Sequence, residues 1–424
     1  MRQSLALSPT DASAHGNLLF VLNYHPDKTG DEVFAEYRAY DQNFCVQHRK
    51  DWRPHANAKD ATRVLKVGYV SPDFRSHSCA NFLEPLLSRH DKSRVRVYAY
   101  AELLREDPVT ARYKNYVDHW VPTRGLSDAA LADRIRADGI DILVDLAGHT
   151  GGNRLGVFAR KPAPVSLSWM GYGCTTGLSA IDYFLTDAPS APLGSERFFS
   201  EAPWRLPTGW AYRPAGAAQM GEVSALPAAK NGYVTFGTLT RAVRVNHRTV
   251  RVWAELLKRA PNARLVIDSR SYQDVATQEE LAARFVALGV ERERLLIGCH
   301  SPPWDVLRGV DIGLDCFPHN SGTTLFETLY MGIPFVTLAD RPSVGCLGSS
   351  ILQGVGHGEW IARTEAEYID KALALAQDPV RLAQLRAGLR GEMQASALMD
   401  EAAFTRSVED AYRQMFSEWC GAPL

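Results

Sequence analysis

Asp315-Cys316-Phe317-Pro318-His319-Asn320-Ser321-Gly322-Thr323-Thr324-Leu325-Phe326-Glu327-Thr328-Leu329-Tyr330-Met331-Gly332-Ile333-Pro334-Phe335-Val336-Thr337-Leu338 is the stretch from which the fold is read. Val310 to Asp315 is a short apolar strand with a polar exit, and Ile333 to Leu338 is another. Between them lies a segment of helix length, so the stretch predicts one strand–helix–strand unit. Ser321 and Gly322 fall at the turn, and Thr323 and Thr324 open the helix. Free N–H groups at such a turn, with the positive end of the helix dipole, favour a phosphate. A second reading makes Thr324 and Glu327 a capping box, Thr-x-x-Glu. Pro318, Asn320, Gly322 and the Gly332-Ile333-Pro334 break crowd this one unit, which favours the phosphate reading.

Working outward, the same alternation continues on both sides. Immediately before the stretch in the chain the strands are Tyr233–Gly237, Arg264–Asp268 and Arg294–Gly298, with a helix over Val250–Ala260 closed by Pro261. Helical segments follow over Glu365–Gln377, Pro379–Gly391 and Asp400–Trp419. Towards the N-terminus, strands are expected at Leu65–Val70, Val95–Tyr100, Ile140–Leu146, Pro164–Trp169 and Ile181–Leu185, with a helix over Leu126–Ala137. Strands alternating with helices predict parallel sheets covered on both faces. Residues 206–232, rich in Pro and Ala, read as a linker between a first lobe over 63–205 and a second over 233–424.

Residues 1–62 read as a helical segment. Ser8-Pro9-Thr10-Asp11 is a helix-start signal. Asp31–Arg49 carries Val33, Phe34, Tyr37, Tyr40 and Phe44 at helical spacing, expected to pack on the next domain. Leu5-Ala6-Leu7-Ser8-Pro9 resembles the end of a tetratricopeptide repeat (TPR), although no repeated unit of ~34 residues stands behind it, so the segment reads as a stub.

Ligands of parallel sheets sit at the carboxyl ends of strands, which directs attention to the loops there. The loop after Val70 holds Asp73, Arg75, Ser76 and His77, and His77 suits proton transfer near neutrality. The loop after Leu146 runs Ala147-Gly148-His149-Thr150-Gly151-Gly152-Asn153-Arg154, dense in glycine and polar donors. After Trp169 comes Met170-Gly171-Tyr172-Gly173-Cys174-Thr175-Thr176-Gly177, of the same character. In the second lobe, Arg241, Arg244 and His247 follow the first strand.

The chain of 424 residues is long enough for two or three full cores, and 46% hydrophobic with 22% charged residues is ordinary for a globular protein. A formal net charge of -1 argues against nucleic acid or an anionic membrane as partner. Its 7 cysteines are scattered without a Cys-x-x-Cys pair, against a zinc site or disulfide framework and in keeping with a reducing cytoplasm. Met1-Arg2-Gln3-Ser4 begins no signal peptide, and no apolar run reaches membrane-spanning length.

The Asn320-Ser321-Gly322-Thr323-Thr324 core resembles the diphosphate-binding segment of the O-GlcNAc transferase/SPINDLY glycosyltransferases. So do Gly68-Tyr69-Val70-Ser71-Pro72-Asp73-Phe74-Arg75-Ser76-His77, Asp145-Leu146-Ala147-Gly148-His149-Thr150, Arg160-Lys161-Pro162-Ala163-Pro164-Val165 and Trp169-Met170-Gly171-Tyr172. The resemblance covers about residues 63 to 420 and implies the GT-B fold: two Rossmann-like lobes facing across a cleft, with a short helical N-terminal segment. It implies an inverting transferase moving N-acetylglucosamine from UDP-GlcNAc to Ser or Thr hydroxyls of a protein or peptide. A GDP-fucose-dependent O-fucosyltransferase and a degenerate nucleotide-sugar-binding scaffold are the alternatives. By the same resemblance, His77 is the base or the acceptor-orienting group, with His149 beside it. Asn320, Gly322, Thr323 and Thr324 hold the nucleotide-sugar diphosphate, and Glu327 holds the ribose. Counting back from Trp253 places Arg244 where relatives carry the diphosphate-contacting lysine, with Arg241 nearby. Near the cradle there is no Asp-x-Asp metal signature, so neither metal nor other cofactor is expected, and Arg241 and Arg244 take the metal's electrostatic part. Relatives carry Pro-Gly at Gly173-Cys174, often His at Gly322 and often Arg at Cys346.

Overall fold

The structure is a computed structural model and describes residues 10–421. Of the N-terminal expectations, Leu5 to Pro9 lies outside the described residues. Asp11 caps the first helix, α1 (Ala12–Leu22), by accepting from the Ala14 N–H. Thr29 and Glu32 form a full capping box on α2 (Gly30–Tyr40). One π turn (Asp41–Cys45) and a 3-10 segment (Val46–Asp51) complete the helical part. Residues 52–62 are not helical, so this region ends earlier than its composition suggests.

The chain divides into two compact units, one comprising residues 10–23, 28–213 and 400–421 and the other residues 24–27 and 214–399 of the described chain. The first is built on strands β1 (Leu65–Ser71), β2 (Val95–Ala101), β3 (His119–Pro122), β4 (Ile142–Asp145), β5 (Val165–Ser168), β6 (Tyr183–Asp187) and β7 (Ala202–Leu206). They form one sheet in the order β3-β2-β1-β4-β5-β6-β7, every pairing parallel. Leu65, Val67, Tyr69, Ile142, Leu143 and Val144 are fully buried, because helices such as α3 (Ala80–Arg89) and α4 (Asp128–Asp138) cover the sheet.

The second unit repeats the plan with β8 (Thr235–Leu239), β9 (Arg264–Asp268), β10 (Leu295–Gly298), β11 (Ile312–Leu314), β12 (Phe335–Leu338) and β13 (Ile361–Ala362), ordered β10-β9-β8-β11-β12-β13. Its pairings are likewise parallel. Each sheet therefore reverses strand order once, between β1 and β4 in the first unit and between β8 and β11 in the second. At such a reversal the loops leave in opposite directions and open a crevice for a ligand.

The expected second lobe, 233–424, needs one correction. Its last helix, Glu401–Cys420, belongs to the first unit. Phe404 packs its ring on Trp169 at 5.7 Å, and the buried Glu409 accepts from His90 Nδ1 and from the Asp91 N–H, both at 2.9 Å. Glu401 pairs with Arg213 and Arg89. The period of Phe404, Val408, Ala411, Tyr412 and Met415 reveals an apolar stripe but not which body it covers.

Candidate functional site

In the second unit the loops after β8 and β11 meet at the reversal point. Asp315, at the end of β11, is fully buried and organises the turn: its carboxylate accepts from the Cys316 and Ser321 N–H groups, both at 2.8 Å, and from Thr337 Oγ1 at 2.7 Å. Burial pushes this carboxyl up to about 7. The β8 loop is tied to the turn by Asn246 Nδ2, which donates to the Phe317 carbonyl at 2.7 Å, and by the Thr240 and Ser321 hydroxyls at 3.3 Å.

The helix that follows, α5 (Thr323–Tyr330), has Gly322 as N-cap and no side chain closing it. The Thr324–Glu327 capping box is therefore absent. The N–H groups of Gly322, Thr323 and Thr324 have no hydrogen-bond partner among the described residues. A Cβ built on Gly322 would meet nothing within 4 Å, so the helix start borders open space. One turn on, the half-buried Glu327 carboxyl has no hydrogen bond or ion pair among the described residues, and desolvation pushes it up to about 8.

Asn320 differs from expectation. It is fully buried, its Nδ2 donating to the Cys316 carbonyl at 2.9 Å and its Oδ1 accepting from the Gly348 N–H at 3.1 Å. With its amide spent on shaping the loop, Asn320 supports the cradle and presents nothing to a ligand.

Positive charge gathers at the same point. Arg244 lies near enough to Asp315 and His319 to act on both electrostatically, and its Nε is buried without a hydrogen-bond partner among the described residues. Burial and the charges of Arg244, Arg341 and Arg241 hold His319 well below the usual imidazole range. Its neutral Nδ1–H donates to the Asn320 carbonyl at 2.8 Å. Open helical N–H groups beside clustered guanidinium groups form an anion cradle.

At the first unit's reversal point the loops after β1 and β4 carry the two expected histidines, with different fates. His77 is partly exposed; its Nδ1 accepts from the Cys79 N–H at 3.3 Å and lies 3.8 Å from Asp73 Oδ2. With Nδ1 accepting, a neutral imidazole carries its proton on Nε2. Asp73, His77 and Cys79 are also the one group among the described residues whose potential ligand atoms come close enough, within 4.8 Å, to share a metal ion. Arg75 donates to Asp73 at 2.9 Å.

His149 is the contrary case. It is only 3% exposed, enclosed by Tyr37, Tyr40 and Tyr172 at ring distances of 5.5, 4.7 and 5.5 Å. Its Nε2 meets the Thr176 carbonyl at 2.7 Å, and burial pushes its pKa down to about 4. An imidazole so enclosed packs α2 against the β4 loop, in contrast to the open catalytic position expected of His149. Asn23 donates to the Tyr37 and Tyr172 hydroxyls at 2.8 Å each, completing this polar plug. Gly171 is required beside it, because a Cβ there would fall 1.8 Å from the Leu146 carbonyl oxygen.

Comparison with known proteins decides the family. The model of glycosyl transferase family 41 matches residues 14–210 and 224–408. The chain belongs to glycosyl transferase family 41. Among curated members it is 36% identical to the probable UDP-N-acetylglucosamine–peptide N-acetylglucosaminyltransferase SPINDLY of Oryza sativa, over 98% of this chain and 46% of the relative. The corresponding Arabidopsis thaliana protein is 34% identical, with the same coverage. The chain thus spans about half the length of these curated relatives. Among solved structures, a mutant of Thermobaculum terrenum O-GlcNAc transferase superposes with a TM-score of 0.92 at 34% identity, covering 99% of this chain and 80% of that one. With this match, the two parallel α/β units make the fold GT-B-like. Sucrose-phosphate synthase of Thermosynechococcus elongatus, at 12% identity and a TM-score of 0.52, shares the fold alone.

For a family 41 chain, sequence reasoning overlooked residues that build this cradle without touching its mouth. Asp315 was legible as a polar strand exit. His319 and Arg341 are separated from Arg244 in sequence, and no local pattern links them.

Proposed function

We propose that this family 41 chain is an inverting glycosyltransferase that moves N-acetylglucosamine from UDP-GlcNAc to a Ser or Thr hydroxyl of a protein or peptide. The observation that carries the reading is the second-unit cradle, with open N–H groups at Gly322, Thr323 and Thr324 beside the Arg244 guanidinium. It suits a diphosphate that gains charge as it leaves. The names of the related enzymes support the donor and acceptor class.

Transfer forms a bond between the acceptor oxygen and the anomeric carbon and breaks the bond from that carbon to the diphosphate oxygen. The hydroxyl proton passes to water or to the departing diphosphate. Thr323, Thr324 and Arg244 hold the diphosphate, Arg241 adds to the positive field, and Glu327 reaches the ribose. His77, with its proton on Nε2, orients the acceptor hydroxyl. The leaving charge is matched by these groups, so the scheme needs no metal. All 7 cysteines are free, as a reducing cytoplasm would leave them, and no described helix is long and apolar enough to cross a membrane.

The test is to incubate the chain with UDP-GlcNAc or GDP-fucose and an acceptor peptide library, measuring released nucleotide and labelled peptide. UDP release with peptide labelling is expected. GDP release with fucosylated peptide would replace the donor, and binding of either donor without turnover would make the chain a scaffold.

A further inference from the structure

Residues 24–27, which join α1 to α2, belong to the second unit although both helices belong to the first. Tyr24 is only 5% exposed and lies flat on the His319 imidazole, with ring centroids 4.3 Å apart and planes 2° from parallel. Arg244 places its guanidinium carbon 5.6 Å from the centre of the same Tyr24 ring. Two further contacts pin the strap: Arg341 Nη2 donates to the His25 carbonyl at 3.0 Å, and Asp27 pairs with His247 Nε2 at 3.0 Å. Arg244, His319 and Arg341 lie on the loops after β8, β11 and β12, and His247 opens the helix that follows the β8 loop.

We propose that Tyr24 is a positioning residue for Arg244, so that the strap between the N-terminal helices is a working part of the anion cradle. The inference rests on the reading that Arg244 meets the donor diphosphate. A long arginine side chain samples many rotamers, and a fixed cation binds an anion better than a searching one. A planar guanidinium is held well by an aromatic face, which attracts it without neutralising its charge. A carboxylate in the same place would fix Arg244 too, but would compete with the phosphate. His319 stiffens the ring from one side, and its neutral state avoids repulsion with Arg244. The Arg244 Nε is buried and has no hydrogen-bond partner among the described residues.

The experiment measures binding of UDP, GDP and inorganic pyrophosphate to the full chain by titration calorimetry. Wild type is compared with Tyr24→Ala, Tyr24→Phe, Tyr24→Leu, Arg244→Ala and the Tyr24→Ala/Arg244→Ala double variant, with folding of each followed by circular dichroism. Tyr24→Ala and Tyr24→Leu should weaken all three probes about tenfold, the scale of a cation–π contact at a partly desolvated site. Tyr24→Phe should bind like wild type, because the ring and not the hydroxyl does the work. In the Arg244→Ala background, Tyr24→Ala should cost no more than about twofold further.

Unchanged binding by Tyr24→Leu overturns the proposal, as do penalties that multiply independently in the double variant. Should Tyr24→Ala fail to fold, Tyr24→Leu, which keeps apolar bulk, decides the matter. Ring-dependent pyrophosphate binding in a chain that transfers no sugar would uphold the positioning role and defeat the glycosyltransferase reading. A wild-type chain binding none of the three probes would defeat both.

Discussion

The two units share one strand plan and one reversal point, yet fill those points with opposite chemistry. In the second unit the loops after β8 and β11 leave main-chain donors open and gather arginines around a buried, neutral imidazole. In the first, the loops after β1 and β4 present one partly exposed histidine and seal the other inside an aromatic plug. The shared reversal of strand order therefore fixes where a site can form, and the loop residues decide what it does. The second unit's point brings together N–H groups without a described partner and several arginines.

The division of labour breaks most visibly at His77. His77→Ala should lower the transfer rate by about 10²–10⁴-fold, the range for a group acting on a proton or hydroxyl in the transition state. UDP affinity should stay within about twofold, by calorimetry. A fall in affinity matching the fall in rate would place His77 with the donor and erase the distinction between units.

Arg244→Ala comes next. Removing one preorganised charge from the leaving group should slow transfer about 10²–10³-fold, measured as initial rates beside the exposed-surface control Arg197→Ala. Arg244→Lys should recover part of the loss, since it restores charge but not the planar fork. Equal effects in Arg244→Ala and Arg197→Ala would leave the cradle without its cation.

His149→Ala tests the opposite role within the same unit as His77. Losing a buried ring and its bond to the Thr176 carbonyl should lower stability by about 2–4 kcal/mol in urea unfolding. The fraction that remains folded should turn over far better than His77→Ala. A stable but inactive His149→Ala would return that histidine to the chemistry.

Glu327 gives the smallest effect and depends on pH. Its carboxyl titrates near 8 when folded, against an ordinary 4.5. Below 4.5 both folded and unfolded chains hold the proton, so the buried site costs nothing. Between 4.5 and 8 the unfolded chain ionises first and stability is progressively lost, reaching its full cost above 8. Glu327→Gln should therefore raise the melting temperature at pH 8.5 and leave it nearly unchanged at pH 4.5. An equal change at both values would mean that burial of the carboxylate is not the cause.

How much of this was legible in the sequence follows from the range of each signal. The apolar run Leu65–Val70 and the exact period of Glu365–Gln377 are local, and both elements formed where expected. Strands β3, β7 and β13 were not foreseen. His119–Pro122 is half exposed and ends in proline, Ala202–Leu206 contains Pro203, and Ile361–Ala362 is two residues long, so none carries a buried-strand pattern. Thr323, Thr324 and Glu327 could be placed because the strand, turn and helix that position them are contiguous. Asn320 and His149 were misjudged because a polar residue in a glycine-rich loop looks the same whether it faces a ligand or a buried carbonyl. Tyr24 could not be seen at all, since its partners His319 and Arg244 are brought to it only by the fold.

The most direct test of the division between units is a crystal structure of the chain with UDP. The diphosphate should lie within hydrogen-bond distance of the Thr323 and Thr324 N–H groups and the Arg244 guanidinium, with the ribose at Glu327 and His77 outside its contacts. A diphosphate seated instead on the loops after β1 and β4 would contradict the account.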